Sequence, residues 1–429
     1  MKRRSSEIEA ALAQLDHEHL RRERRTIDGF AEPGSRVTTI VDGRQLVDFS
    51  SNDYLGLARH PAVAAAMGEC AERCGAGSGA SHLVTGHGAE HTRLEEELAA
   101  FTHRERVLLF STGYMANLAV MTTLAGRGET VLLDRLSHAS LIDGGLLSGA
   151  RFKRFAHADA CDAESALAAH AEKTAVVATD GVFSMDGDVG PLDALARVSR
   201  SHDAWLVVDD AHGLGVIGAT GRGAVEHFGL DAEAVPALVG TLGKAFGSFG
   251  AFVAGSNELI ELLMQKARSY IYTTALPQPV AAASRKALEI AQRETWRRER
   301  VLALTARFRS GAQQIGVPVT GAEVATRVRA MSAAEVGTPS RPDDAVPMLH
   351  RSQPLTPIQP ILLGSSEAAL QAQRELLEAG FCVIAIRPPT VPRGSARLRV
   401  TLSAAHTEAQ VDSLVEALSR VCAVREVAS

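Results

Sequence analysis

Between residues 46 and 280, short runs made almost wholly of apolar residues alternate with segments whose apolar positions recur at helical spacing. The runs fall at 107–110, 130–133, 175–179, 205–209, 237–241 and 250–254, and segment 90–101 shows the helical repeat in Leu94, Leu98 and Phe101. A strand without a polar face must be covered on both sides, and strands separated by helices pair in parallel. The pattern therefore predicts an α/β fold with a mostly parallel central sheet covered by helices.

Beyond about residue 285 the texture changes. Helices expected around 281–315, 366–379 and 408–421 flank apolar runs at 358–363, 382–386 and 396–401, which predicts a smaller α+β C-terminal domain. The last helix carries Val411, Leu414, Val415 and Leu418 on one face, and Thr407 with Gln410 spells a capping box before it. Residues 7–25 predict a helix with Ile8, Leu12 and Leu15 together and the basic cluster Arg21, Arg22, Arg24, Arg25 at its end. The expected organisation is an N-terminal arm (1–50), a large domain (51–284) and a small domain (285–429). Six prolines within 337–360 predict an extended surface loop there.

Composition narrows the function classes. With 46% hydrophobic and 22% charged residues and a net charge of −5, nothing favours nucleic acid or an anionic membrane as a partner. Every long apolar stretch is interrupted, so no membrane span is expected. The start, Met1-Lys-Arg-Arg-Ser-Ser-Glu, lacks an apolar signal core. Five cysteines (Cys70, Cys74, Cys161, Cys382, Cys422) read as buried free thiols in a reducing cytoplasm.

Ligands of open parallel sheets collect beyond the carboxyl ends of the strands, and the chemically notable residues fall there. The run at 107–110 leads into Ser-Thr-Gly113-Tyr114, a glycine at a helix start, where free N–H groups suit a phosphate. The run at 130–133 leads to His138, placed for a flat-ring contact, and that at 175–179 to Ser184. The run at 205–209 ends in Asp209-Asp-Ala-His212, and Thr241-Leu-Gly-Lys244-Ala-Phe-Gly247 begins 29 residues after His212. A lysine between glycines, downstream of Asp-x-x-His, points to pyridoxal phosphate. Lys244 would hold it as a Schiff base, and Asp209 would keep the pyridine nitrogen protonated. Each pKa unit of that preference is about 1.4 kcal/mol. Ser184 and His212 can hold the ring oxygen, and Thr241 places a hydroxyl near the phosphate.

Three competing patterns are weaker. Gly213-Leu-Gly215-Val-Ile-Gly218 matches a dinucleotide fingerprint, but the sequence leaves no helix to receive a pyrophosphate. Gly240 to Ala245 lacks the spacing and Ser/Thr of a P-loop. His82, His87 and His91 lack the carboxylate of a zinc-protease motif, so no metal is expected and a structural or surface role is favoured.

The chain resembles the α-oxoamine synthases, fold-type-I pyridoxal-phosphate enzymes that join an amino acid to an acyl thioester. The resemblance rests on motifs in order along nearly the whole chain: Phe49-Ser-Ser-Asn-Asp-Tyr-Leu-Gly56, Asp134-Arg-Leu-Ser-His-Ala-Ser140, Gly181-Val-Phe-Ser-Met-Asp-Gly-Asp188, Val208-Asp-Asp-Ala-His-Gly213, Gly243-Lys-Ala-Phe-Gly247 and Ala385-Ile-Arg-Pro-Pro-Thr-Val-Pro392. The last of these, followed by Ala396-Arg-Leu-Arg399, favours the members that use L-alanine with pimeloyl-CoA or a pimeloyl-carrier protein over glycine-using ones.

The resemblance implies Lys244 as Schiff base and acid/base, Asp209 at the ring nitrogen and His138 stacked on the ring. It puts Gly113, Tyr114 and Thr241 at the phosphate, with Ser184 and His212 at the ring oxygen. Arg21, Asn52, His138 and Thr390 would meet substrate, and Arg399 the amino-acid carboxylate. Thr274 would reach the phosphate of a partner subunit, making a homodimer. Against this stand a glycine-using α-oxoamine synthase and, from another class, an idle scaffold of the same fold. Lys244, Asp209, His138 and His212 argue against the scaffold.

Overall fold

The computed structural model describes residues 2–169, 174–317, 319 and 353–426. The chain opens with the helix Lys2–His17, followed by β1 (Gly29–Phe30), β2 (Thr38–Val41) and β3 (Arg44–Asp48). The helix ends eight residues earlier than the expected 25. His19 is left-handed (φ 56°), and the N–H groups of Leu20 and Arg21 turn back onto Leu15 O at 2.8 and 3.2 Å. That C-terminal cap stops the helix and leaves Arg21–Arg25 in an irregular strap.

The apolar runs become the central sheet. Its strands are β4 (Arg106–Phe110), β5 (Thr130–Asp134), β6 (Arg151–Phe155), β7 (Thr174–Asp180), β8 (Trp205–Asp209), β9 (Ala237–Thr241) and β10 (Ala251–Gly255). Their spatial order is β4-β10-β9-β8-β7-β5-β6. Only β10 runs antiparallel to its neighbours, and the remaining pairs are parallel. Successive residues feed two separate cores: Val107, Leu109, Leu132 and Val208 pack on one face, while Leu108, Phe110, Val131 and Val207 pack on the other. Strand β6, absent from the expected set, is an edge strand with Arg151, Lys153 and Arg154 exposed. Its solvent side removes the apolar run that marks the others.

The C-terminal part builds a three-stranded antiparallel sheet from β11 (Ile358–Gly364), β13 (Ile384–Ile386) and β14 (Ala396–Thr401), in the order β11-β14-β13. The expected run 382–386 divides: β12 (Phe381–Cys382) pairs parallel with β3, and β13 pairs with β14. The helix expected over 281–315 is two, Gln278–Arg293 and Trp296–Gln314. It breaks where Glu294 (φ −97°, ψ 66°) leaves helical space. The capping box is present: Thr407 N–H donates to Gln410 Oε1 at 2.8 Å and Gln410 N–H to Thr407 Oγ1 at 3.1 Å.

Residues 337–352 of the proline-rich segment lie outside the described residues. Its end is not a surface loop. Thr356 and Gln359 are buried, Thr356 Oγ1 donates to Gly187 O at 2.6 Å, and residues from Ile358 onward are β11. Because β11 is an edge strand, Pro360 costs no ladder bond on its open side. All five cysteines are free thiols, with Cys74 and Cys161 exposed rather than buried. Among the described residues no helix is long and apolar enough to cross a membrane.

Candidate active site

Three parallel strands end in carboxylates: Asp134 on β5, Asp180 on β7 and Asp209 on β8. Beyond them the chain turns back so that side chains from distant segments converge. Asp209 is held at both oxygens. Oδ2 accepts from Asn117 Nδ2 at 2.6 Å, and Oδ1 accepts from the N–H of Ala211 at 3.0 Å. Asn117 sits one helical turn after Gly113 in the helix Gly113–Leu124, which is capped by Thr112 Oγ1 accepting from Met115 N–H. A Cβ at Gly113 would meet nothing within 4 Å, so the first turn of this helix faces open space. Tyr114, beside it, is exposed and donates its hydroxyl to Asp143.

His138 caps the helix Ala139–Leu147. Its backbone N–H donates to Asp180 Oδ2 at 3.0 Å, and its Nδ1 lies 2.7 Å from Ser140 Oγ. Burial lowers its pKa, with Asp209 pulling the other way. Asp180 is buried, and that burial, reinforced by the charge of Asp209, holds its pKa well above the usual carboxylate range.

Lys244 follows β9 in the turn after Thr241, whose Oγ1 donates to Gly250 O at 3.0 Å and accepts from Gly243 N–H at 3.3 Å. Burial pushes the Lys244 amine down to about 8, against the pull of Asp209. Among the described residues the amine has no hydrogen-bond or ion-pair partner. His212 Nδ1 is 2.7 Å from the hydroxyl of Tyr54, and burial, then the charge of Lys244, drives its pKa well below the imidazole value. The glycines after His212 make room for neighbouring protein groups: Gly213 and Gly223 for Asp210, Gly215 for Ala245 and Gly218 for Glu226. A Cβ at Gly223 would lie 1.9 Å from Asp210 Oδ2, which accepts from Ala224 N–H at 2.7 Å.

Arg399 comes from β14 and reaches across to the same place. Its Nε donates to Ser184 O at 2.6 Å, and Nη1 and Nη2 each donate to Asn52 Oδ1 at 3.2 Å. It is 4% exposed and, among the described residues, no carboxylate pairs with it. A buried guanidinium without a counter-ion is costly unless an anion arrives to meet it. Next to this cluster a cleft of about 860 Å³ is lined by His138, Ser184, Phe183, Thr390 and Pro392.

The structure thus brings together Lys244, Asp209, His138, Ser184, His212, Asn52 and Arg399. Thr390 is on the cleft wall, but Arg21 is paired with Asp16 at 2.8 Å, and it is Arg22 that reaches Thr390 Oγ1 at 3.4 Å. Thr274 is exposed, its backbone bridged to Ser81, and joins no part of this cluster in one chain. Asn117, Ser140, Asp180 and Tyr54 carry contacts to which the sequence reading gave no role. Asn117 was detectable only as a polar residue one turn beyond Gly113, and Tyr54 and Ser140 as members of motifs already noted. His82, His87 and His91 do cluster. Yet His91 is committed at both nitrogens, Nδ1 to Gly88 N–H at 2.9 Å and Nε2 to Leu276 O at 2.5 Å.

Residues 44–418 match the aminotransferase class I and II family. The 8-amino-7-oxononanoate synthase of Methylococcus capsulatus is 55% identical over 410 residues, covering 96% of this chain and 97% of its own length. That of Thioalkalivibrio sulfidiphilus is 54% identical over 415 residues, covering 96% and 97%. The chain belongs to the aminotransferase class I and II family, on its 8-amino-7-oxononanoate synthase branch. Among solved structures, a serine palmitoyltransferase from S. paucimobilis with bound PLP and myriocin superposes with a TM-score of 0.83 at 29% identity, covering 94% of this chain and 93% of that one. The 8-amino-7-oxononanoate synthase of Francisella tularensis gives 0.71 at 29% identity, covering 89% and 99%.

A member of this branch of the family is a pyridoxal-phosphate-dependent α-oxoamine synthase with the fold-type-I architecture described above. The residues present fit that cofactor. An unpartnered amine, a carboxylate fixed at both oxygens and an open helix N-terminus stand at one strand-end cluster. Each matches a different part of the cofactor: aldehyde, ring nitrogen and phosphate.

Proposed function

We propose that this chain makes 8-amino-7-oxononanoate for biotin biosynthesis by condensing L-alanine with a pimeloyl thioester, on coenzyme A or a carrier protein, with loss of CO2 and of the thiol. The observation that carries the reading is the Lys244 amine, unpartnered and pushed down to about 8, beside an Asp209 fixed at both oxygens. Its full-length relatives of the same name support the choice of reaction.

Pyridoxal phosphate, when bound, supplies the sink for electrons left at the amino-acid α-carbon. The chain's own residues do the rest. Lys244 would hold the cofactor, and with a pKa near 8 a useful fraction of its amine is neutral at neutral pH. Nζ can then take the α-proton of alanine and later return one. Asp209 would sit against the ring nitrogen, with Asn117 and Ala211 preventing the carboxylate from turning away. His138 would lie on the ring face, His212 and Ser184 at its oxygen, and Gly113, Tyr114 and Thr241 around the phosphate.

Arg399 would receive the alanine carboxylate, its plane already set by Ser184 O and Asn52 Oδ1. The thioester would enter along the Thr390 wall of the cleft, close to the Arg21–Arg22 strap. A second copy would add Thr274. Exposed Tyr272, Leu83 and Val84 lie within a few residues of the Ser81–Thr274 bridge, as expected of a face another chain covers.

The test is the mass of the product formed from a pimeloyl thioester with alanine, glycine or serine in parallel. The 8-amino-7-oxononanoate mass from alanine supports the reading. A product only from glycine or serine would assign a different α-oxoamine synthase. Sedimentation of the holoenzyme reads the oligomer separately.

A further inference from the structure

Asp209 and His138 come from different strand ends, yet two side chains join them without a gap. Asn117, 1% exposed, has two amide protons and spends both: one on Asp209 Oδ2 at 2.6 Å, the other on Ser140 Oγ at 2.8 Å. The reverse amide orientation would set Oδ1 against a carboxylate oxygen, so the donors must face Asp209. Ser140 Oγ, having accepted from Asn117, sends its own proton to the remaining neighbour, His138 Nδ1, at 2.7 Å. The Ser140 N–H approaches the same ring nitrogen at 3.3 Å. Nδ1 is therefore an acceptor, and the single proton of the neutral ring is on Nε2.

Resting on the proposed function, we propose that Asn117 is a positioning residue with two effects at once: it fixes the carboxylate of Asp209 directly and, through Ser140, the Nε2–H tautomer of His138. Nε2 has no protein partner among the described residues, and His138 lines the cleft. The relay thus leaves a hydrogen-bond donor free for the bound substrate, a carboxylate or carbonyl oxygen being what an N–H there would meet. Burial already disfavours the imidazolium; the relay chooses between the two neutral forms, which burial alone does not. The charged groups around the ring are Asp180, at its backbone N–H, and Asp209, Lys244 and Asp143.

The test is nitrogen NMR of histidine-labelled protein, with His138 assigned by substitution, recorded on the holoenzyme and after cofactor removal. The expected result is a protonated Nε2 and a bare Nδ1 in both. Asn117→Ala and Ser140→Ala should each give a mixture of tautomers and hold the cofactor less tightly. They should lower kcat about 10–100-fold with little change in the KM for alanine, as removal of an orienting partner does. Ser140→Thr keeps the hydroxyl and should keep the Nε2–H signature. A wild-type proton on Nδ1, or variants with unchanged tautomer, cofactor retention and kcat, would overturn the proposal. The NMR arm needs no turnover, so it stands or falls separately from the product assay.

Discussion

Two buried polar clusters lie side by side beyond the carboxyl ends of the central strands, and their charges are handled in opposite ways. In one, His157 is clamped between Asp134 Oδ1 at 2.9 Å and Asp188 Oδ2 at 2.8 Å, with Arg397 paired to Asp186 nearby. Burial alone would depress His157, but the two carboxylates more than offset it and raise its pKa to about 10. In the other, Lys244 and Arg399 are cations with no ion pair among the described residues, and burial depresses the lysine to about 8. A cluster whose charges are matched from within is finished once folded. One whose cations have no carboxylate partner among the described residues is completed by what binds. That difference separates support from site more cleanly than residue type does, since both clusters are built from Asp, His and a cation.

Lys244→Ala should lower turnover by about 10⁴-fold or more, the upper range for a lost acid/base group, while the unfolding midpoint of the cofactor-free chain stays or rises. A steady-state assay beside urea denaturation reads both. His157→Leu should do the reverse. Removing one partner of a buried ion cluster costs about 3–5 kcal/mol, seen in the urea midpoint, with turnover per folded molecule changed far less than by Lys244→Ala.

The pH dependence sharpens the same contrast. The folded pKa of His157, about 10, lies above its unfolded 6.5, so its contribution is complete below 6.5 and is lost as pH rises through 10. The folded pKa of Lys244, about 8, lies below its unfolded 10.5, so it penalises the cofactor-free fold below 8 and the penalty fades towards 10.5. Urea titrations of the cofactor-free chain between pH 7 and 10.5 should lose their falling component in His157→Leu and their rising one in Lys244→Met. Smaller still, Arg399→Lys keeps the charge but not the forked geometry. The KM for alanine should rise about 10–100-fold, the equivalent of about 1.4–2.7 kcal/mol for a charge-assisted contact.

The strand ends were readable because parallel strands buried on both faces must be apolar, so a polar residue at the end of such a run marks the rim where ligands gather. The runs 205–209 and 237–241 coincide with β8 and β9 to the residue. What the sequence hid depends on which strand lies beside which. The Asn117–Asp209 contact spans 92 residues and exists only because the helix after β4 packs against the strands in the middle of the sheet. Edge strand β6 was invisible for the complementary reason that half of it meets water. The strap after His17 was misread as helix because a left-handed histidine gives no signal in apolar spacing. Within that strap Arg21 pairs with Asp16 while Arg22 reaches Thr390, contacts that apolar spacing does not encode.

The central claim is that the unpartnered amine of Lys244 is the group that holds the cofactor and moves the substrate proton. Borohydride reduction of the holoenzyme followed by peptide mass mapping tests it most directly. The expected result is a single pyridoxyl adduct, on the peptide containing Lys244. An adduct on another lysine, or none on a protein that still turns over, would contradict it.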